Sequence, residues 1–509
     1  MKNDNFIVEF SRTIDQCHGQ RPDDLWFSTW MSSKSPYFNY PQNFEKFWTT
    51  GYLPPRSTSG NKLKLALRLT LTLCSLLAKS FYLKIKLRKE LKKLRKLSGQ
   101  QINLVRTFLY KTDPAAKDPF WGDLIDRLIQ DSRPLVTIYD PNFSISRCKN
   151  VYNTKRHNLP FLAFISPFKL IKNYFSLLKE AFGVVRFMGD FIVNQVNIEG
   201  LLVDSYQTEL LKPSSLMNLV YLDTFQSVFE KFTLHKAYLP FENNPWEKMF
   251  YLARGNSQKK FEAIGFQHTS IQEGATNYLL SAYESQNHLI PDKIFSVGEY
   301  TYQLMKNLPH YKNIPIQVGC ALRHAYLETI HESALGKNSE AINLLVILDG
   351  TLDTVKLIEL VTGFIELNKL TNISIIMREH PNLLLKNFFS EFLKDEHVRS
   401  GKIIVSTQSL QQDIEWATIV LYTGSTSCIE ALKMGKAVIN YNFSKFNYDP
   451  LSQFSALKWE AATPHDLHEI IKHFLKLTPT DLLQKKLAAQ KFVNSYFSPC
   501  TRENIERFL

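Results

Sequence analysis

The sequence predicts an α/β protein of two Rossmann-like, doubly wound domains with a cleft between them and a basic helical insertion in the first. Short apolar runs alternate with helical patterns along most of the chain, the signature of a parallel sheet covered by helices on both faces. Two such series are separated by a polar stretch, His331–Glu340, which reads as a linker. At 509 residues the chain also exceeds the size at which a single core stops growing. The expected division is a first domain over 1–330, with the insertion at 62–98, and a second domain with terminal helices over 341–509.

In chain order, the first sixty residues carry Trp26, Trp30, Tyr37, Phe38, Tyr40, Phe47 and Trp48 among many Pro and Ser, and predict a packed but irregular start. Between Lys62 and Lys96 twelve Lys and Arg face one acid, Glu90, so this segment supplies +11 of the chain's net +13. Its first half is Leu-rich and its second half interleaves Lys and Arg with Leu and Ile. A basic amphipathic helix of this kind favours an anionic membrane surface. Nucleic acid needs the same charges but not the leucines, so it is not the expected partner. A solvated helical excursion with no partner is the bland alternative.

Strand-like runs follow at Pro134–Tyr139, Lys236–Phe241, Ala263–Phe266, Lys293–Val297 and Ile314–Val318, with a helix over Leu216–Phe232. Beyond the linker they recur at Asn343–Leu348, Ile373–Met377, Lys402–Val405, Ile419–Tyr422 and Ala437–Asn440. Helices are expected at Thr354–Leu367 and Ser425–Lys433, and over most of Pro464–Leu509.

With 44% apolar and 13% aromatic residues the chain can bury sizeable cores. The six cysteines are scattered, without metal spacing, which suggests reduced thiols and a cytoplasmic setting. The polar start, Met1-Lys2-Asn3-Asp4-Asn5, does not read as a signal peptide, and no uninterrupted apolar run looks long enough to span a bilayer. The expected location is therefore peripheral, at the inner face of the cytoplasmic membrane. P-loop and G-x-S-x-G patterns are absent. So is any D-x-D carboxylate pair, which points to donor binding without a metal or other cofactor.

The chemistry-bearing residues cluster after the strands. Arg378-Glu379-His380-Pro381 follows one strand, and Thr423-Gly424-Ser425-Thr426-Ser427 follows another and opens a helix. Ligands of open α/β sheets bind outside the carboxyl ends of strands, and a small-residue loop opening a helix presents N–H groups to an anion. The pair reads as one site for a phosphate-bearing ligand, with Glu430, one helical turn on, in reach of a ribose. Asp349-Gly350 ends the first strand of the second domain: Gly350 would let the backbone approach the ligand, and Asp349 would bond a sugar or act as a base. In the first domain, Phe241-Glu242-Asn243-Asn244-Pro245-Trp246-Glu247 and Gln267-His268 also follow strands. Glu242, Glu247 and His268 are the candidates for acceptor binding and general-base work, although Asn244 and Glu247 equally fit a helix capping box.

These stretches resemble a known group. "FENNPWEK…IGFQHTS" is similar to a pattern of capsule and O-antigen glycosyltransferases of the GT-B fold. "REHP…YTGSTSCIEA" is similar to the His-Pro and Ser/Thr motifs of bacterial sialyltransferases and Kdo transferases. The resemblance implies that His380, Pro381 and Ser425–Ser427 bind the CMP of an activated sugar, Kdo or another nonulosonic acid. An Asp or Glu of the other domain would act as base, and a lipid-linked or polysaccharide acceptor of lipopolysaccharide or capsule would receive the sugar. The sialyltransferase base motif lies in the N-terminal domain, whereas Asp349 begins the second, so the resemblance passes the base to Glu242 or Glu247. A CDP-polyol phosphotransferase of the teichoic-acid type carries similar motifs, and a non-catalytic membrane scaffold is the third reading.

Overall fold

The computed structural model describes residues 4–34, 47, 53, 56–109, 117–141, 145, 156–328, 341–350, 354–367, 372–380, 385, 392, 396–443 and 448–509, with the side chains of residues 4–8 left aside. The expected linker 331–340, Tyr37, Phe38, Tyr40, Trp48 and Pro381 lie outside them. The chain forms two compact units. The first holds Met1–His268, Thr276–Arg323 and Cys500–Leu509; the second holds Thr269–Ala275 and His324–Pro499. A single cut in the 331–340 stretch does not describe this division, because the last ten residues belong with the first unit.

The first unit is built on a seven-stranded sheet in the order β3-β2-β1-β6-β7-β8-β9, every pair parallel. Its strands are β1 Gln101–Leu109, β2 Leu135–Pro141, β3 His157–Pro160, β6 Thr233–Pro240, β7 Glu262–Phe266, β8 Lys293–Ser296 and β9 Ile316–Val318. A small hairpin, β4 Ile192–Val193 with β5 Val196–Asn197, stands apart. The interior strand β1 was not anticipated. Its run QINLVRTFL carries Asn103 and Arg106, which break the apolar signal, yet both are buried. Arg106 is stacked near Phe108, Tyr221 and Trp246 and pairs with Asp140 at 2.8 Å.

Helices Asp4–Asp15 and Asp23–Ser28 replace the irregular start expected from the aromatic density. Trp26 and Phe27 are fully buried in the first unit's core. The basic segment is not an appendage either. Ser59–Lys86 is one 28-residue helix, followed by Arg88–Arg95, and Leu69, Leu73, Leu76, Leu83 and Leu87 are buried in that core. The C-terminal end returns to the same unit: Phe508 is fully buried, stacked on Phe295 with ring centroids 4.1 Å apart. Gly319 permits this, since a Cβ there would stand 2.7 Å from the Phe508 ring.

The second unit has six parallel strands in the order β12-β11-β10-β13-β14-β15. These are β10 Ile342–Ile347, β11 Ile373–Arg378, β12 Ile403–Val405, β13 Ile419–Tyr422, β14 Ala437–Tyr441 and β15 Lys458–Ala461. Counted along the chain this is 3-2-1-4-5-6, the doubly wound Rossmann order. Parallel strands covered on both faces read as near-continuous apolar runs, and β13 is buried along its whole length. That is why this half was legible. Only β15, KWEA, with charged residues at two of four positions, went unread.

Candidate functional site

Chain order reverses in the second sheet between β10 and β13, where a doubly wound sheet opens a crevice beyond its strand ends. The residues following β10, β11 and β13 are Asp349-Gly350, Glu379-His380 and Thr423-Gly424-Ser425-Thr426. Register places Leu344–Val346 of β10 opposite both Ile375–Met377 of β11 and Ile419–Leu421 of β13, so the three exits are neighbours.

The loops are tied together. A Cβ on Gly350 would lie 2.9 Å from the His380 imidazole, so these two exits meet here and any larger residue at 350 would make that ring shift. Asp349 is buried; one carboxylate oxygen accepts from Thr354 Oγ1 at 3.0 Å and the other from Thr423 Oγ1 at 2.6 Å. The second bond ties the β10 exit to that of β13 and the first ties it to the helix Thr354–Leu367, so both oxygens are engaged and Asp349 is not an open base. Asn440 on β14 donates to the Thr423 carbonyl at 2.6 Å, fixing the same turn. Ser425 Oγ accepts from the Ser427 backbone N–H at 3.3 Å, and Thr426 precedes the helix Ser427–Lys433 without a side-chain capping bond.

Two other expected ligand contacts are occupied inside the unit. The Arg378 guanidinium pairs with Asp413 at 2.7 Å and donates to the Gln408 carbonyl at 2.9 Å. It braces the helix Leu410–Trp416, because a residue at the strand's end points to one face only. The Glu430 carboxylate accepts from the Tyr326 hydroxyl and lies 3.5 Å from His324 Nδ1. Ser270 ends the IGFQHTS stretch, but the sequence reading gave no role to it or to Gln272, and both group with this unit. Ser270 Oγ lies 3.1 Å from Thr426 Oγ1, and Gln272 donates to the Gly424 carbonyl at 2.7 Å. Their place directly after His268 was the available signal.

In the first unit the reversal falls between β1 and β6. Glu242 follows β6 and His268 follows β7, the next strand over, with Glu242 Oε1 and His268 Nε2 3.4 Å apart. Glu242 Oε2 accepts from Asn244 Nδ2 at 2.8 Å, and its side chain keeps 29% exposure while His268 keeps 4%. Burial, then the Arg323 charge, press the His268 imidazole down to about 3, against a hydrogen bond with the Phe266 backbone. It is therefore neutral around pH 7. Its ring meets the Phe120 edge at 4.8 Å between centroids, and the exposed Arg323 guanidinium lies over that same Phe120 at 5.3 Å. Phe120 lies in the DPFWGDL segment, a fainter part of the resemblance that carried no role, and Arg323 escaped the sequence reading because it sits in no motif.

Glu247 does something different. It is fully buried at the start of the helix Pro245–Gly255, and its carboxylate accepts from the backbone N–H groups of Glu242, Asn243 and Asn244 at 3.0–3.2 Å. Asn244 completes the capping box. Of the two acids considered for base work, Glu247 builds the turn and Glu242 is presented by it. Asn243 takes the left-handed conformation in that turn (φ 59°), which Asn tolerates better than most residues.

Asp15, His18 and Glu284 bring ligand atoms within 4.8 Å of one another. Lys34 Nζ lies 2.8 Å from Asp15 and 3.4 Å from Glu284, and Lys248 Nζ lies 2.6 Å from Glu284. Two buried ammonium groups thus already balance these carboxylates, and a cation would have to displace them.

No protein-family model and no curated protein sequence matches the chain. Among solved structures it is similar to a UDP-N-acetylglucosamine 2-epimerase, at 10% identity over 80% of this chain and 95% of that one, with a TM-score of 0.44. It is also similar to a glycosyltransferase from Rickettsia africae ESF-5, at 14% identity over 80% and 97%, TM-score 0.42. A third is the α,α-trehalose 6-phosphate synthase of Burkholderia multivorans, at 8% identity over 80% and 97%, TM-score 0.45.

Proposed function

We propose that this chain is a glycosyltransferase that takes a sugar from a nucleotide-activated donor, CMP-linked, and passes it to a lipid-linked or polysaccharide acceptor in lipopolysaccharide or capsule synthesis. The observation that carries the reading is that the exits of β10, β11 and β13, which carry Gly350, His380 and Gly424–Ser427, are neighbours beside the strand-order reversal of the second unit, with Gly350 against the His380 imidazole and Asp349 bonded to Thr423. Loop N–H groups and hydroxyls there suit a phosphate, and the imidazole adds a donor beside them. The first unit contributes Glu242. In the transfer, the acceptor oxygen attacks the anomeric carbon, and the bond from that carbon to the donor phosphate oxygen breaks. CMP leaves with the electron pair, and the acceptor proton passes to Glu242. His268, neutral and 3.4 Å away, orients the carboxylate.

Glu242→Gln tests the assignment. It removes a proton acceptor and no donor contact, so CMP affinity should persist while turnover falls by roughly a hundredfold to ten-thousandfold. Full turnover in that variant would place the base elsewhere. Product linkage separates the chemistry: a glycosidic bond supports this reading, and a phosphodiester would transfer it to a CDP-polyol phosphotransferase.

A further inference from the structure

The helix Ser59–Lys86 is apolar on two sides. Positions 66, 69, 73, 76, 80, 83 and 87 are buried, whereas Leu63, Leu67, Leu71, Phe81 and Ile85 are each more than 60% exposed. Both sets step by threes, fours and their sums, so each forms a stripe along the helix. One stripe enters the core of the first unit, against the Phe161–Phe164 turn and the helix Pro167–Phe182. The other stripe meets solvent.

The helix Pro167–Phe182 repeats the pattern. Leu170, Leu177 and Ala181 are buried, while Phe168 (78%), Phe175 (60%) and Phe182 (55%) are exposed, and Val184 (83%) and Met188 (80%) follow in the next loop. The hydroxyls of Thr70 and Tyr174 join the two helices at 2.7 Å. Exposed apolar residues flank this joint at matching offsets, Leu67 and Leu71 about Thr70 and Ile171 and Phe175 about Tyr174. Two neighbouring helices thus each turn an apolar stripe to solvent beside this joint, and exposed apolar residues grouped in this way mark interaction sites. It is rimmed by Lys64, Arg68, Lys79, Lys172 and Lys179 and continues into Arg88, Lys89, Lys92, Lys93, Arg95 and Lys96, all exposed.

By length and mean hydropathy Ser59–Lys86 could cross a membrane, contrary to the sequence expectation. Its inner stripe, however, packs into the unit's own core, and a spanning helix would have to give up that packing. A helix with one face in a protein core and the other apolar and edged by lysine lies along a bilayer.

We propose that the helices Ser59–Lys86 and Pro167–Phe182, with the loop through Met188, form one docking surface for an anionic phospholipid bilayer. Phe168, Phe175 and Phe182 insert beside the leucine stripe, and the basic run Arg88–Lys96 faces the headgroups. Charge complementarity selects this occupant: the surface carries a dense positive rim, which a second copy of the same chain would repel. The proposal stands independently of the nucleotide chemistry.

Sedimentation of the full chain with phosphatidylglycerol-containing vesicles, against pure phosphatidylcholine, tests it. The parent should sediment with the anionic vesicles and be released by salt. Phe168→Ser/Phe175→Ser should lose at least tenfold in partitioning with an unchanged melting temperature, since both residues are exposed. Lys89→Gln/Lys92→Gln/Lys93→Gln should lose the anionic preference and the salt dependence. Binding of the Phe168→Ser/Phe175→Ser protein equal to the parent would overturn the two-helix surface. Absence of vesicle binding together with a dimer that Phe168→Ser/Phe175→Ser dissociates would show that a second copy covers it.

Discussion

Glu242 and Glu247 are five residues apart and have opposite fates. Three backbone N–H groups converge on Glu247 in a site without solvent, whereas Glu242 keeps part of its surface and a histidine neighbour. Burial, then the charge of Glu242, push the Glu247 carboxyl up to about 8 against the pull of those N–H groups. Its ordinary value is 4.5, so the fold favours the protonated form. That stabilisation is complete below about 4.5 and is lost as pH rises through 8. Melting temperature should therefore decline across this window in the parent and decline less in Glu247→Gln, which still offers the cap one oxygen. An equal decline in both proteins would show that Glu247 is ionised throughout. Gly350 gives a second test at this scale. Gly350→Ala places a methyl 2.9 Å from the His380 ring. A side chain can swing aside, so the protein should fold and bind CMP as poorly as His380→Ala does; undiminished binding would separate His380 from the ligand.

At the scale of elements, the difference between the sequence reading and the structure follows burial. The second sheet was legible because its strands carry unbroken apolar runs such as INLLVI and IVLY. Strand β1 of the first sheet was not, because Arg106 and Asn103 look like surface residues until Phe108, Tyr221, Trp246 and Asp131 are brought around them. The capping box at Asn244 and the Gly350–His380 approach had local signals. The capture of Arg378 by Asp413 and of Asp349 by Thr423 did not, since each partner lies tens of residues away. The Leu-rich helix was recognised as amphipathic, but a leucine count cannot tell which stripe faces the core. The structure can, and it sets a test. Leu69→Ala should cost about 2–5 kcal/mol in chemical denaturation, as buried leucines do. Leu67→Ser, two positions away and exposed, should stay within about 0.5 kcal/mol. Equal costs would mean that the helix is rotated or detached. For the same reason, removing 62–96 whole would strip the core of the first unit, and membrane binding is better dissected by surface substitutions.

Over the whole molecule, two Rossmann-like units share one chain, and in each the candidate residues follow strands at or beside the point where the strand order reverses. The first keeps an acid beside a neutral histidine; the second keeps glycine, histidine and hydroxyls together. The account rests on the second unit holding a nucleotide phosphate, and calorimetric titration of the full chain with CMP, alongside CDP, UDP and GDP, tests that most directly. CMP should bind the parent and Glu242→Gln alike. His380→Ala should bind roughly tenfold to a hundredfold more weakly, the cost of a hydrogen bond to a charged group, on the order of 1.5–3 kcal/mol. A parent that binds none of the four nucleotides, or a His380→Ala protein that binds CMP as tightly as the parent, would contradict it.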